Sequence, residues 1–311
     1  MKWFLEEKYL AAKNPIHFGD GAVFLGSCFS QNIYGKGQRL GFNFKQTRFG
    51  TIFHPIPIAR ILLEALKNTE SNRIVENNGR FFSWDATTKL YADSEANIQA
   101  ILDEERLKLR ENLKEAKYLF LTFGSAKGYI NTDKLVVANC HKVSSSQFEV
   151  EISEVDQLVY TYKKLIEILQ NYNPGLEIVL TVSPVRHSKD GLVENNRSKS
   201  RLLLLCEELA RIEKVSYFPA YELVIDQLRD YRFYSSDLVH PNKEAIDYVW
   251  NIFEEVYFKQ TTKEISAKVD KFRSYFDHIP IHKENQRDTD VRFKKESELK
   301  SFLTAHSEII W

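Results

Sequence analysis

The chain has little of what marks a secreted or membrane protein. Cys28, Cys140 and Cys206 are its three cysteines in 311 residues, a number that disfavours a disulfide framework and suits a reducing compartment. Residues 1–10 carry four charged side chains and so leave no apolar core for a signal peptide. No apolar run approaches the length of a membrane span. These features predict a cytoplasmic protein that does not bind a membrane.

A net charge is also missing. Lys and Arg together number 43, and Asp and Glu together also number 43. Without an excess of one sign, the chain has no general attraction for nucleic acid or for an anionic membrane surface. No internal repeat and no low-complexity tract is present. The sequence therefore predicts no nucleic-acid partner, and it leaves the oligomeric state open.

Signatures of cofactor and metal binding are sparse. Gly35-Lys36-Gly37 lies too far past the first predicted strand for a phosphate-binding turn and lacks a third glycine at its place, which disfavours a dinucleotide-binding oxidoreductase. Cys140 and His141 are adjacent, and neighbouring side chains on a strand face opposite ways, so the pair is poorly suited to chelate one ion. We therefore expect no cofactor and no metal.

The composition is that of a globular chain with an ample core. Hydrophobic residues make up 43% of the sequence and charged residues 28%. Residues 1–275 are expected to form one large domain. Residues 276–311 are polar and charged, and they are expected to form a C-terminal tail with a weakly helical piece.

Short apolar runs alternate with amphipathic helical patterns along most of the chain. With right-handed crossovers, this order predicts an α/β fold, a three-layer α/β/α sandwich around a mostly parallel five-stranded sheet of order 2-1-3-4-5. Asn77-Asn78-Gly79 separates two strand-like runs and predicts an inserted β-hairpin over about residues 73–91. The five strands of the main sheet are predicted at 22–25, 42–46, 118–123, 176–182 and 215–219.

The first predicted strand ends in Gly26-Ser27-Cys28-Phe29-Ser30, and a helical pattern follows. A strand, a sharp turn and a helix together present a nucleophile at the edge of a sheet and aim backbone N–H groups at it. Both Ser27 and Cys28 are candidate nucleophiles. The alternative is an ordinary turn in which Cys28 is a small buried residue and Ser27 caps the helix.

A second motif lies near the other end of the chain. Asp237 and His240 are three residues apart, just before an amphipathic helical pattern. Pro241 disfavours a helix at His240, so the segment is predicted to be a loop. One such loop can supply both a general base and the carboxylate that orients it. His187 competes for the role of base, but only His240 has an acid at a fixed short spacing.

Together these two motifs resemble the GSCFA family, which is related to the SGNH or GDSL hydrolases. Residues 26–30 are similar to the name-giving motif of the family, and Asp237-Leu238-Val239-His240-Pro241 resembles the last block of the hydrolases. The resemblance extends over about residues 22–258. It implies an acyl-ester hydrolase or acyltransferase that acts on a small-molecule or glycan acyl ester, possible substrates including an acylated sugar.

The resemblance implies catalytic roles for four residues. His240 would be the general base and Asp237 its orienting carboxylate. Aligned with Gly-Asp-Ser-Leu without a gap, the sequence puts Cys28 at the nucleophile position, whereas a slip of one residue restores Ser27. We favour Cys28, since a thiol at the start of a helix and beside a histidine is expected to have a lowered pKa.

The resemblance also implies oxyanion donors. Gly50 falls where the second hydrolase block has a glycine whose N–H faces the oxyanion, and Gly124 begins the third block. The asparagine that the hydrolases carry two residues later is replaced by Ala126. Asn139 or Asn131 is a candidate to take over its role if the local loop folds back.

Three further residues are expected to contact the substrate. Arg186 and His187 follow the fourth predicted strand, at the carboxyl edge where open α/β sheets bind ligands. His141 follows a short predicted strand at 135–138.

The missing asparagine after Gly124 allows a second interpretation. A binding module could keep the fold and the pocket after losing a complete oxyanion hole. Asp237 and His240 beside two potential nucleophiles argue against this interpretation, because a binder needs none of them.

Overall fold

A computed structural model describes residues 7–69, 73–278 and 286–311 of the chain. The strands are β1 (Gly21–Gly26), β2 (Phe44–Thr51), β3 (Ile74–Asn77), β4 (Arg80–Ser83), β5 (Tyr91–Ala92), β6 (Ala116–Phe123), β7 (Lys127–Ile130), β8 (Val136–Val137), β9 (Glu149–Ile152), β10 (Glu177–Val182) and β11 (Val215–Tyr217). The helices are α1 (Cys28–Arg39), α2 (Pro55–Lys67), α3 (Glu95–Glu115), α4 (Val155–Tyr172), α5 (Leu192–Leu209), α6 (Ala220–Glu222), α7 (Lys243–Tyr257), α8 (Gln260–Asp277) and α9 (Gln286–Ala305). None of the helices in these ranges is long and apolar enough to cross a membrane.

The central sheet has five strands in the order β2-β1-β6-β10-β11. β6 pairs in parallel with β1 and with β10, and β11 pairs in parallel with β10. Every residue of β6 from Tyr118 to Phe123 is buried, as expected for a strand whose two faces are both covered by helices. The predicted three-layer α/β/α fold, its mostly parallel sheet and its strand order are confirmed.

The register of the sheet brings three strand ends together. Gly26 of β1 lies opposite Thr122 of β6, and Phe123 of β6 lies opposite Val182 of β10. The residues that follow these three strands therefore leave the sheet at one edge. This edge carries the nucleophile candidates, the Gly124 turn and the segment with Arg186 and His187.

Two small antiparallel sheets are inserted between elements of the main fold. β3, β4 and β5 form the first, and positive φ angles of 54° at Asn78 and 71° at Gly79 make the tight turn between β3 and β4. The predicted hairpin is thus present, with β5 as an additional strand. β8, β7 and β9 form the second sheet, of which the sequence predicted only the strand at 135–138.

The described residues divide into two compact units by their internal contacts. The larger comprises residues 21–34 and 45–249, and the smaller comprises 7–20, 35–44 and 250–311. The boundary predicted at residue 275 does not coincide with this division. Within the smaller unit, Ile309 is buried and the Ile310 N–H donates to Gly41 O over 2.9 Å, so the C-terminal segment is a docked part of its unit.

In the larger unit, a buried carboxylate joins both insertions to α2. Asp85 is 1% exposed. Arg60 of α2 donates from Nε to Asp85 Oδ1 over 2.7 Å, and Arg73 donates from Nε to Asp85 Oδ2 over 2.8 Å. Arg60 also donates to Val136 O of β8 over 2.9 Å, and Arg73 pairs with Glu64 of α2. The network fixes the insertions that border the candidate site.

Asp85→Asn should lower the free energy of unfolding by about 3–5 kcal/mol, because the neutral amide leaves two guanidinium groups without their shared anion. Urea unfolding followed by circular dichroism measures the change. Glu149→Gln is the matched control, since Glu149 pairs with Lys134 at the surface and its loss should cost about 1 kcal/mol or less. Equal effects of the two substitutions would contradict a stabilising role for the network.

Candidate active site

The turn after β1 selects between the two candidate nucleophiles. Gly26 has a φ of +126°, and a Cβ at this position would overlap Thr122 O of the neighbouring strand. The next residue remains tied to the sheet, because the Ser27 N–H donates to the same carbonyl over 3.0 Å. Ser27 is 1% exposed, and its Oγ has no hydrogen-bond partner among the described residues. Ser27 is therefore inaccessible and has no base beside it.

Cys28 begins α1 and is half-buried. Burial raises the pKa of its thiol, and this effect outweighs the opposing effects of the Lys199 charge and of the backbone N–H groups of Cys28 and Phe29. The expectation of a lowered pKa is therefore wrong, since a helix start compensates only partly for the loss of solvent. At neutral pH the resting group is the thiol.

Asp237 and His240 form the pair that their spacing predicts. His240 Nδ1 lies 2.6 Å from Asp237 Oδ2, and Asp237 Oδ1 accepts the N–H groups of Val239 and His240, each over 3.0 Å. These hydrogen bonds, the backbone ones first, lower the pKa of Asp237 to about 2. Leu238, with a φ of +60°, closes the turn. With Nδ1–H donating to the carboxylate, the neutral imidazole presents Nε2 as a proton acceptor.

A cavity of about 620 Å³ lies at this edge of the sheet. His240 and Val239 line it together with Arg186, His187 and residues of the second inserted sheet. Cys28 is not part of the lining, but it is linked to the lining through charge. Lys199 acts on both Cys28 and His187, and His240 acts on His187.

His187 is unsuited to the role of base. Burial, followed by the charge of Lys199, lowers the pKa of its ring to about 4. The backbone N–H of His187 donates to Asn195 Oδ1 over 3.0 Å. The His187 ring contacts the Phe53 ring edge-on, with 5.1 Å between the ring centres. It therefore lines the cavity as a neutral, fixed ring, as expected of a residue that contacts a ligand.

The predicted oxyanion donors have different surroundings. The Gly124 N–H donates to Phe53 O over 2.8 Å, so in this structure it does not face the site. Gly50 lies within β2 with a φ of +79°, beside the Thr87 side chain. Asn139 lines the cavity, and its Oδ1 accepts from Thr88 Oγ1 over 2.8 Å.

Two residues considered from the sequence have structural roles instead. His141 is 1% exposed, lies outside the cavity lining, pairs through Nε2 with Ser83 O over 2.7 Å and stacks on Phe82. Burial lowers the pKa of His141 to about 4. The expectation that it contacts the substrate is not met, because its side chain holds the first insertion in place. Asn131 caps the turn before β8, its Oδ1 accepting the Asp133 and Leu135 N–H groups.

The sequence analysis missed a buried polar row on α5. Lys199 is 1% exposed, and its Nζ donates to Gly124 O over 2.6 Å and to Ser183 O over 2.7 Å. One turn earlier, Asn195 Oδ1 accepts the backbone N–H of His187. Ser198, which directly precedes Lys199, accepts the Ala126 N–H at its Oγ over 2.8 Å. The signal was present, because these three residues continue the helical spacing of the buried apolar positions Leu202, Leu205, Cys206 and Leu209.

The row on α5 holds the turns after β6 and β10 at fixed positions. Burial lowers the pKa of Lys199 to about 7, while the Cys28 charge acts in the opposite direction. Lys199 thus carries charge beside the nucleophile candidate over the lower part of the neutral range.

Iodoacetamide labelling from pH 6 to pH 10 should give a midpoint for Cys28 above about 8.5, the value of a free thiol. Lys199→Met should leave this midpoint nearly in place, because burial lowers the pKa of Lys199 to about 7 and most of its charge is already lost where the Cys28 thiol ionises. Mass spectrometry measures both sites in one sample. Cys140 is the internal control, since burial alone raises its pKa and its profile should not move. A Cys28 midpoint below that of a free thiol, or one that Lys199→Met moves strongly, would contradict the dominant effect of burial.

The three-layer α/β/α fold thus has a cysteine at the start of α1 and an Asp–His loop at the carboxyl edge of its sheet. The model of the GSCFA family matches residues 22–253, and the chain belongs to the GSCFA family. No curated protein sequence matches it.

Among solved structures, the chain is similar to the crystal structure of a carbohydrate esterase family 3 from Talaromyces cellulolyticus. The sequence identity is 9%, and the TM-score is 0.26. The alignment covers 52% of this chain and 66% of that chain. The chain thus spans just under two thirds of the length of the esterase structure.

Proposed function

We propose that this protein is an acyl-ester hydrolase or acyltransferase with Cys28 as nucleophile, His240 as general base and Asp237 as the orienting carboxylate. The observation that carries the proposal is the 2.6 Å contact between His240 Nδ1 and Asp237 Oδ2, on a loop that also lines the cavity. A carboxylate that fixes one imidazole nitrogen leaves the other to move a proton. Membership of the GSCFA family supports the same reaction class.

The reaction would proceed in two transfers. Cys28 Sγ attacks the ester carbonyl carbon while His240 Nε2 takes the thiol proton, and the tetrahedral intermediate then expels the alcohol, which receives that proton from His240. The resulting thioester is attacked by water in a hydrolase, or by a second alcohol in a transferase. His240 takes the proton of the attacking group and returns it to Sγ as the acyl group leaves.

The raised pKa of Cys28 means that the general base has to remove the thiol proton during the reaction. Because the resting thiol is protonated at neutral pH, proton transfer to His240 accompanies attack instead of preceding it. The backbone N–H groups of Cys28 and Phe29, which favour the thiolate, are the candidates to stabilise negative charge as it develops, together with that of Gly50. The engaged Gly124 N–H does not serve this role in the present conformation.

Cys28 is preferred to Ser27 on accessibility. Ser27 Oγ is buried without a partner, whereas Cys28 is half-buried at the helix start. An acylated sugar or another small ester is the proposed substrate class, as the cavity is of a size that suits small ligands. The three cysteines are free, in keeping with a proposed location in the cytoplasm.

A binding module is the second candidate function. The supporting observation is that Cys28 does not line the cavity while the Gly124 N–H is occupied. In that case the cavity would bind its ligand without turning it over. The substrate panel below separates the two functions.

His240→Ala and Cys28→Ala should each reduce hydrolysis of 4-nitrophenyl esters and acetylated sugars by about 10²–10⁴-fold, because each removes a partner in the proton transfer. Ser27→Ala should retain activity, since it deletes a hydroxyl without hydrogen bonds. Cys140→Ala is the control for loss of a thiol.

Circular dichroism must report a native fold for each variant. An active Cys28→Ala beside an inactive Ser27→Ala would reverse the choice of nucleophile. A folded wild type that binds acetylated sugars but neither hydrolyses nor transfers any acyl group would favour the binding module.

A further inference from the structure

The lining of the cavity carries an unbalanced positive charge. Of the described residues that line it, Asp190 alone is acidic, and Lys127 pairs with it over 2.7 Å. Arg186 and Lys189 also line the cavity and form no ion pair with any described residue. Burial keeps His187 neutral at pH 7, as its pKa is about 4, so it adds no charge. The excess is therefore due to Arg186 and Lys189.

Arg186 is the more informative of the two cations. Its guanidinium carbon lies 5.0 Å from the centre of the Tyr234 ring, within the range of a cation–π contact. Its Nη1 is buried and has no hydrogen-bond partner among the described residues. A half-buried guanidinium without an anion is costly unless a ligand supplies one.

Other residues that line the cavity suit the apolar part of a small organic ligand. Phe53, Tyr129 and Phe148 line the same cavity. Aromatic rings offer flat apolar contact to a sugar ring or an acyl chain, while the planar fork of an arginine matches the two oxygens of a carboxylate. The combination of an arginine that has no ion pair among the described residues with aromatic walls favours a ligand that is partly apolar and carries a carboxylate.

We propose that the cavity binds esters that carry a carboxylate on the acyl or the alcohol part, and that Arg186 binds this carboxylate. Lys189, which is exposed, contributes longer-range attraction. The inference names the substrate class of the proposed hydrolase and in that respect rests on the proposed function. Binding of a carboxylate ligand does not require turnover, so the two can be tested apart.

Isothermal titration of the whole chain with D-glucuronate, D-glucose, succinate and inorganic phosphate tests the site without catalysis. Glucuronate tests a carboxylate on the alcohol part, and succinate tests one on the acyl part. We expect at least one of these two carboxylates to bind about tenfold or more tightly than glucose. Arg186→Gln should weaken the binding of that carboxylate about tenfold, as expected for a lost hydrogen bond to a charged group. Arg211→Gln is the matched control, since Arg211 pairs with Glu208 at the surface.

Hydrolysis supplies the second readout. For mono-4-nitrophenyl succinate, Arg186→Gln should raise KM about tenfold or more above any change that it makes in the KM for 4-nitrophenyl butyrate. Circular dichroism verifies that the variant is folded. Arg186→Lys should restore only part of the affinity, because it keeps the charge and loses the fork.

Three results would overturn the inference: carboxylate ligands that bind no better than glucose, equal binding to wild type and Arg186→Gln, or phosphate binding that exceeds both carboxylates. Absence of hydrolysis with both esters, alongside Arg186-dependent binding of glucuronate or succinate, would instead refute the hydrolase and leave the carboxylate site standing.

Discussion

The geometry of the candidate site depends on one buried ammonium group. Lys199 Nζ donates to Gly124 O after β6 and to Ser183 O after β10, so a single side chain of α5 ties together the turns after two central strands. A buried lysine is expensive unless hydrogen bonds replace its water, and the two carbonyls do so only in part, since the pKa of Lys199 falls to about 7. The free-energy cost of burying Lys199 indicates that the side chain at this position does more than fill space.

Burial sets the protonation states around that group. Burial raises the pKa of Cys28, and it lowers the pKa of His187 to about 4. The pKa of Asp237, which is held by backbone N–H groups at the surface, is shifted towards the charged form. The proposed nucleophile Cys28 thus rests as a neutral thiol, and the ionised Asp237 contacts His240, the group proposed to accept its proton.

Local patterns made most of the fold and half of the site predictable. Apolar runs bounded by turns predicted the strands, and right-handed crossovers between them predicted the sheet order. The short spacing from Asp237 to His240 predicted a pair that forms within one loop. Contacts between distant segments could not be predicted from the sequence. The spacing of Lys199 on α5 indicates that it is buried, but it does not indicate which groups it binds. The raised pKa of Cys28 depends on solvent excluded by several elements. The burial of His141 depends on an insertion that folds over it.

The central claim is that the acyl group is carried by Cys28, and trapping the acyl-enzyme tests it most directly. The chain is mixed with 4-nitrophenyl acetate, quenched in acid within milliseconds to seconds, digested and mapped by mass spectrometry. The account predicts one acetyl group on Cys28, formed more slowly in His240→Ala. Acetylation of Ser27, or a Cys28 that stays unmodified while nitrophenol is released, would contradict it.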